Sequence, residues 1–210
     1  MSSAGASGTR QLSAPRSSPW PISGSIVTVG ARLLIVVSGL AASGKTTVSK
    51  VLSLGLCMPL IDKDEILEAL FDSLGCEDRE QRYRLSRASD EVLHRIAASA
   101  NTAVVVNWWN HDSAPARLRE ISDSQVEVFC ECPVELAAAR FASRERHSGH
   151  LDHLRTPEEH DDGIRRMRES FRGPLRLSEH LVTVDTRDPV DPEVLLDRVR
   201  SAMSAAAVGG

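Results

Sequence analysis

LLIVVSGLAASGKTTV, Leu33–Val48, decides the fold. Leu33 to Val37 is a short apolar run rich in β-branched residues, which predicts a buried parallel strand. Gly39-Leu40-Ala41-Ala42-Ser43-Gly44-Lys45-Thr46 then satisfies G-x-x-x-x-G-K-[ST], and a helical pattern follows. A polyphosphate needs several donors converging at close range. Gly39 and Gly44 let the backbone turn and approach without a Cβ in the way. The N–H groups from Ala41, Ala42, Ser43 and Gly44 through Lys45, Thr46 and Thr47, at a helix N-terminus, would offer positive partial charge to the phosphates. Lys45 would reach the β- and γ-phosphates, and the Thr46 hydroxyl would ligate Mg²⁺. The reading is a P-loop nucleotide-binding protein using ATP and Mg²⁺.

The 210 residues suit one α/β domain with additions. A net charge of −4 gives no chain-wide attraction to nucleic acid or anionic membrane. Cys57, Cys76, Cys130 and Cys132 form no disulfide framework, which fits a reducing, cytoplasmic setting. No apolar run approaches the ~20 residues of a membrane span.

Residues 1–30 are rich in Ser, Ala, Gly and Pro and read as a disordered tail or arm, with Ile22 to Val29 as a weak edge strand. Residues 31–207 read as the kinase domain. Its first helix would end near Leu54, with Gly55 as C-cap. Pro59 to Ile61 is a short strand delivering Asp62-Lys63-Asp64 to its carboxyl end. Helices are expected over Glu65–Leu74, Glu80–Ala100, Ala114–Ile121, Pro133 to about Arg146, Glu158–Phe171 and Pro192 to about Ala205. Further strands are expected over Ala103–Val106, Val126–Glu131 and Leu181–Val184. The polar stretch His147–Pro157 reads as a mobile loop, and about 144–165 as a helical lid. Alternating strands and helices predict an α/β three-layer sandwich around a five-stranded, mostly parallel sheet. Ligands of such sheets sit beyond the carboxyl ends of the strands. The P-loop, Asp62, Asp64 and Asn107–Asp112 collect at that edge.

Asp64 is the candidate general base for an acceptor hydroxyl; either Asp62 or Asp64 could instead simply cap the next helix. The P-loop, Asp-x-Asp-x-[IL] and Cys-Pro-x-Glu-x-x-x-x-Arg-x-x-x-Arg resemble the AAA-type small P-loop kinases: chloramphenicol phosphotransferase, the zeta toxins and the kinase domain of polynucleotide kinases. That resemblance implies a base at Asp64. It also implies arginines at Arg140 and Arg144 that grip the nucleotide or the transferring phosphoryl group. Arg146-His147-Ser148-Gly149-His150-Leu151 is partly similar to the Arg-x-Gly-His-Phe lid of gluconate kinases, with one insertion.

The residues support the arginines independently. Arg140 and Arg144 are four apart on an expected helix face, and a guanidinium arriving with a closing lid stabilises transition-state charge. Asn107 stands where a P-loop protein often has a metal-organising Asp, so either Asp62 supplies the carboxylate for Mg²⁺ or Thr46, the phosphates and water hold the ion alone. Trp108 and Trp109 end a strand. Adjacent residues point oppositely there, so one could enter the core while the other lines an acceptor pocket. His147, His150, His153 and His160 lack metal-ligand spacing. The function expected is transfer of the γ-phosphoryl to a hydroxyl of a small molecule such as an antibiotic or sugar. The alternatives are a polynucleotide 5′-hydroxyl kinase and a non-catalytic nucleotide-binding regulatory module.

Overall fold

The β-branched run forms strand β1 (Leu33–Gly39), and the glycine-lysine motif opens helix α1 (Lys45–Leu56). The computed structural model describes residues 32–152, 156–169 and 171–208. The chain continues through β2 (Leu60–Asp62), α2 (Lys63–Leu74), α3 (Arg79–Ser99), β3 (Thr102–Val106) and α4 (Ala114–Ile121). Then come β4 (Ser124–Glu131), α5 (Val134–Ser143), a 3-10 turn over Ser148–His150, α6 (Pro157–Glu169), β5 (Leu181–Asp185) and α7 (Pro192–Val208). The strand order is β2-β3-β1-β4-β5, and every pairing among the described residues is parallel. Among the described residues the sheet is wholly parallel, in keeping with the mostly parallel sheet expected.

Alternation along β1 makes two cores. Ile35 and Val37 join Leu52 of α1 and Leu195 and Val199 of α7 on one face. Leu34 and Val36 join Leu93 of α3 and Leu118 of α4 on the other. The result is the expected three-layer sandwich, a P-loop nucleotide-binding fold. Because β1 lies between β3 and β4, the loops leaving β1 and β3 face each other at one edge of the sheet.

Three expectations change. Gly55 does not cap α1; Cys57 does, with φ 53 and its N–H on Leu54 O. A Cβ on Gly55 would fall 2.4 Å from Leu196 Cδ1, so this glycine lets α7 pack closely instead. Helix α5 stops at Ser143, so Arg144 lies beyond it in extended conformation. Arg140 and Arg144 therefore do not share a helix face. The chain leaves α5 early with Arg144 and Arg146 both over the Phe141 ring, at 5.0 and 5.7 Å from its centroid. Finally, 147–152 is not a free loop: Gly149, His150 and Leu151 are buried. Gly149 packs on Phe71 so closely that a Cβ would meet its ring at 2.9 Å, so close packing explains this glycine. The weak strand at Ile22–Val29 and the tail over 1–30 lie outside the described residues.

One buried carboxylate fastens the far side of the sheet. Glu127 of β4 is fully buried. It accepts hydrogen bonds from Ser38 Oγ (2.5 Å) and from the N–H groups of Leu175 (2.7 Å), Arg176 (2.8 Å) and Leu177 (3.4 Å). It satisfies the irregular backbone between α6 and β5, which has no ladder partner of its own. Glu127→Gln puts an amide donor against these donors. It should cost about 3 kcal/mol, a fall in Tm of roughly 6–12 °C by thermal denaturation.

Candidate active site

The turn after β1 is built by backbone strain. Gly39 has φ 135, and a Cβ there would meet Cys130 O and Ser43 Oγ at 2.7 Å. Ala42 (φ 60) and Gly44 (φ 88) are also left-handed. An L-residue such as Ala42 adopts this conformation at a cost of about 1–2 kcal/mol. The chain so curled enters α1 with its first N–H groups free of intrahelical partners. Ala41, Ala42, Gly44, Lys45 and Thr46 line a cavity of about 640 Å³. Ser43 is buried beneath them, and Thr47 is exposed on the first turn of α1. Lys45 Nζ donates to Gly39 O (3.1 Å) and Leu40 O (2.6 Å). Burial lowers its pKa to about 8, with Arg144 adding to the fall and Cys130, Asp64 and Asp62 opposing it.

β2 and α2 bring the two aspartates to the same cavity. Asp62 is the N-cap of α2; its Oδ1 accepts the Asp64 N–H at 2.9 Å. Burial raises its pKa against that hydrogen bond. Asp64 sits in the first turn with its carboxylate free of capping duty. Burial disfavours its charge, but the cations of Lys63, first, and Arg146 outweigh this and hold its pKa below the usual value. Lys63 Nζ is 3.4 Å away and Arg146 Nη2 3.8 Å.

Arg146 continues into a partly buried chain. It reaches Asp152 (3.3 Å) and donates to His150 Nδ1 (2.5 Å), and His150 Nε2 meets Glu68 Oε1 of α2 at 3.0 Å. A donor on Nδ1 requires a lone pair there, so Nε2 carries the proton and donates to Glu68. Burial, with Arg146, pushes the His150 pKa down, in keeping with a neutral ring. His147 meets Asp72 separately at 3.2 Å. Among the described residues no group of three or more His, Cys, Asp or Glu could hold a metal; His153 lies outside them.

The two tryptophans diverge. Trp108 is 61% exposed and lines the cavity. Trp109 is buried, donates its indole N–H to Val37 O at 2.8 Å and packs on His94. Trp109 is the one of the pair that enters the core, and Trp108 the one left at the cavity. Arg140 lines the cavity, but its guanidinium donates to Thr186 O (2.9 Å) and Arg187 O (2.8 Å), holding the loop after β5 beside the P-loop. Arg144 lines the cavity over Phe141. Burial and Arg146 lower its pKa. Asn107 donates its amide to Asp90 Oδ1 (2.9 Å) on α3. Arg82 and Ser86 of α3 also line the cavity and went unremarked in the sequence. No motif marks them; only the packing of α3 brings them there.

The Lys45 environment makes a pH prediction. Below about 8 the ammonium is charged and ready for a polyphosphate; above it, binding must first take up a proton. The ATP Kd should rise about tenfold per pH unit above 8, up to the pKa of the complex. Calorimetric titration from pH 6.5 to 9.5 checks this, and Lys45→Met should bind weakly with no such limb.

Comparison with known proteins places this geometry. The family profile described as AAA domain matches residues 34–174. A solved structure from Chloroflexus aurantiacus J-10-fl, described provisionally as a kinase, is 30% identical; the match covers 82% of this chain and 98% of that one, with a TM-score of 0.70. A shikimate kinase of Corynebacterium glutamicum is 26% identical over 69% of this chain and 91% of its own length. A cytidylate kinase of Sulfurisphaera tokodaii is 26% identical over 54% of this chain and 63% of its own length. A solved gluconokinase from Sinorhizobium meliloti shares the fold at 18% identity, covering 86% and 95% of the two chains with a TM-score of 0.55. With the P-loop kinase fold and a profile match over more than half its length, this chain belongs to the AAA domain family.

Proposed function

We propose that the protein is an ATP- and Mg²⁺-dependent phosphotransferase acting on a hydroxyl of a small molecule. The observation that supports this best is the company Asp64 keeps. A carboxylate biased toward its ionised form shares one cavity with Lys45 and Thr46. A hydroxyl acceptor must lose a proton as it attacks; a phosphate acceptor needs no such base.

In the proposed step the acceptor oxygen forms a bond to the γ-phosphorus while the bond from that phosphorus to the bridging β-oxygen breaks. Asp64 takes the acceptor proton, and ADP leaves. Lys45 and Arg144 face the charge spread over the transferring oxygens. The donors fit a Mg²⁺: the Thr46 hydroxyl lines the cavity beside Asp62, a buried carboxylate whose charge burial disfavours. When bound, Mg²⁺ would neutralise phosphate charge. Residues 31–207 act as one kinase domain, with 144–165 covering the site.

A second reading has the arginines in its favour. Arg82, Arg140, Arg144 and Arg146 all line the cavity, a set that also suits a nucleoside monophosphate acceptor. ATP consumption measured with alcohols and sugars against CMP separates the two; stimulation by CMP alone would sink the hydroxyl reading.

Asp64→Asn should lower kcat by about 10²-fold or more with little change in ATP affinity. A normal kcat in a folded Asp64→Asn protein would remove the base. Arg144→Ala should also act on kcat rather than ATP binding, by about 10²-fold. Arg144→Lys should not restore it, since a point charge lacks the planar fork.

A further inference from the structure

A second cavity, about 1030 Å³, lies between α3 and α6. It shares Ala41, Arg82, Trp108 and Phe141 with the P-loop cavity, so the two chambers meet there. Their walls differ. The first is dominated by charged and small polar groups. The second carries charged groups too, Arg79, Glu159 and Arg166 among them, but adds Tyr83, Leu151, Ile164 and Met167 to the two shared rings. The chain has one tyrosine and three tryptophans, and the tyrosine stands here with a tryptophan. Tyr83 and Trp108 are each 61% exposed. Aromatic faces held open on a concave wall are characteristic of a ligand site.

Two ion pairs tie α6 across this space. Both terminal nitrogens of Arg79 on α3 donate to the Glu159 carboxylate on α6, at 2.6 and 2.7 Å. On the other side Arg168 of α6 meets Glu135 of α5 at 2.5 Å. Helix α6 is thus tied to α3 and α5 while Ile164 faces the space between.

We infer that this second chamber seats the acceptor, and that the acceptor has a planar apolar body: an aromatic or fused-ring alcohol rather than a small polyol or sugar acid. This rests on the phosphotransferase reading and names its substrate class. A polyol can reach the charged residues of this wall, but it leaves the Tyr83 and Trp108 rings and Ile164 in water, so that apolar surface adds nothing to its binding. A flat apolar body instead displaces water from those rings and stacks on them. Its hydroxyl enters the first chamber past Trp108 and Phe141 toward Asp64. The bonds made and broken, and the proton's transfer to Asp64, are those of the step above.

The test uses the full chain with 2-naphthaleneethanol, ethanol, glucose and gluconate as acceptors, reading ATP consumption and, separately, tryptophan fluorescence. The KM for 2-naphthaleneethanol should lie at least about tenfold below that for ethanol, from ring burial. Gly163, on α6, has nothing within 4 Å of a Cβ, so Gly163→Trp should fill the chamber. It should raise that KM about tenfold or more while the KM for ATP stays unchanged. Tyr83→Ala, at an exposed site that folding does not need, should raise it several-fold in case the α6 variant misfolds. Glucose or gluconate performing as well as 2-naphthaleneethanol, or both variants being silent, would overturn the inference and leave phosphoryl transfer standing. If no acceptor stimulates ATP consumption, phosphoryl transfer fails. Quenching by 2-naphthaleneethanol that disappears in Trp108→Phe would then still uphold the apolar ligand site, and absence of quenching would remove that too.

Discussion

The close approach of Gly39 to β4 is the constraint on which the rest depends. The last residue of β1 presses its α-carbon toward Cys130 O and Ser43 Oγ, leaving no room for a Cβ, and holds φ at 135. Only glycine meets both demands. The kink lifts the chain out of the sheet and curls residues 40–44 ahead of α1. Lys45 is thereby folded back onto the carbonyls of Gly39 and Leu40. The same contact seals the apolar floor beneath the loop, where burial pushes the Cys130 thiol up to about 12 and leaves it inert. A floor that is dry lowers the Lys45 pKa and raises the value of any phosphate that restores its charge.

Around that loop, positive and negative groups are arranged in tiers. Lys63 and Arg146 flank Asp64, and Arg146 is held in turn by His150 and Asp152. His150 passes the restraint on to Glu68 of α2. The segment after α5 is thus tied to the helix that carries Asp64, and moving one disturbs the other. Asp62 and Asp64 divide two tasks: one carboxylate caps the helix, so the other is left facing the cavity. A pair two residues apart at a strand-to-helix junction can do this because the junction rotates successive side chains away from each other.

Helix α6 shows how surface chemistry can set a cavity. Its charged residues reach α3 and α5 through Arg79–Glu159 and Arg168–Glu135. Exposed pairs of this kind add little stability, but they fix where the helix lies. Its few apolar side chains are left facing inward, so the space beneath it is walled by Ile164, Tyr83 and Trp108.

The sequence by itself determined the architecture and the P-loop. A β-branched run, two glycines and a lysine at fixed spacing permit few backbones, and alternating apolar periods dictate a parallel sheet with helices on both faces. It also brought Asp62 and Asp64 to the correct edge, because strand ends are local features. It left open which aspartate capped α2 and which tryptophan entered the core, and it carried α5 too far, to about Arg146. Each depended on contacts between distant segments: Asp64 N–H on Asp62, the Trp109 indole on Val37, and Phe141 drawing two arginines beyond Ser143. Arg82, Ser86, the Asp90–Asn107 bond and the Glu127 clip carry no sequence signal, since nothing in their spacing names their partners. Only tertiary structure decided them, because packing α3, α6 and the stretch before β5 on the sheet fixes which polar groups must satisfy one another.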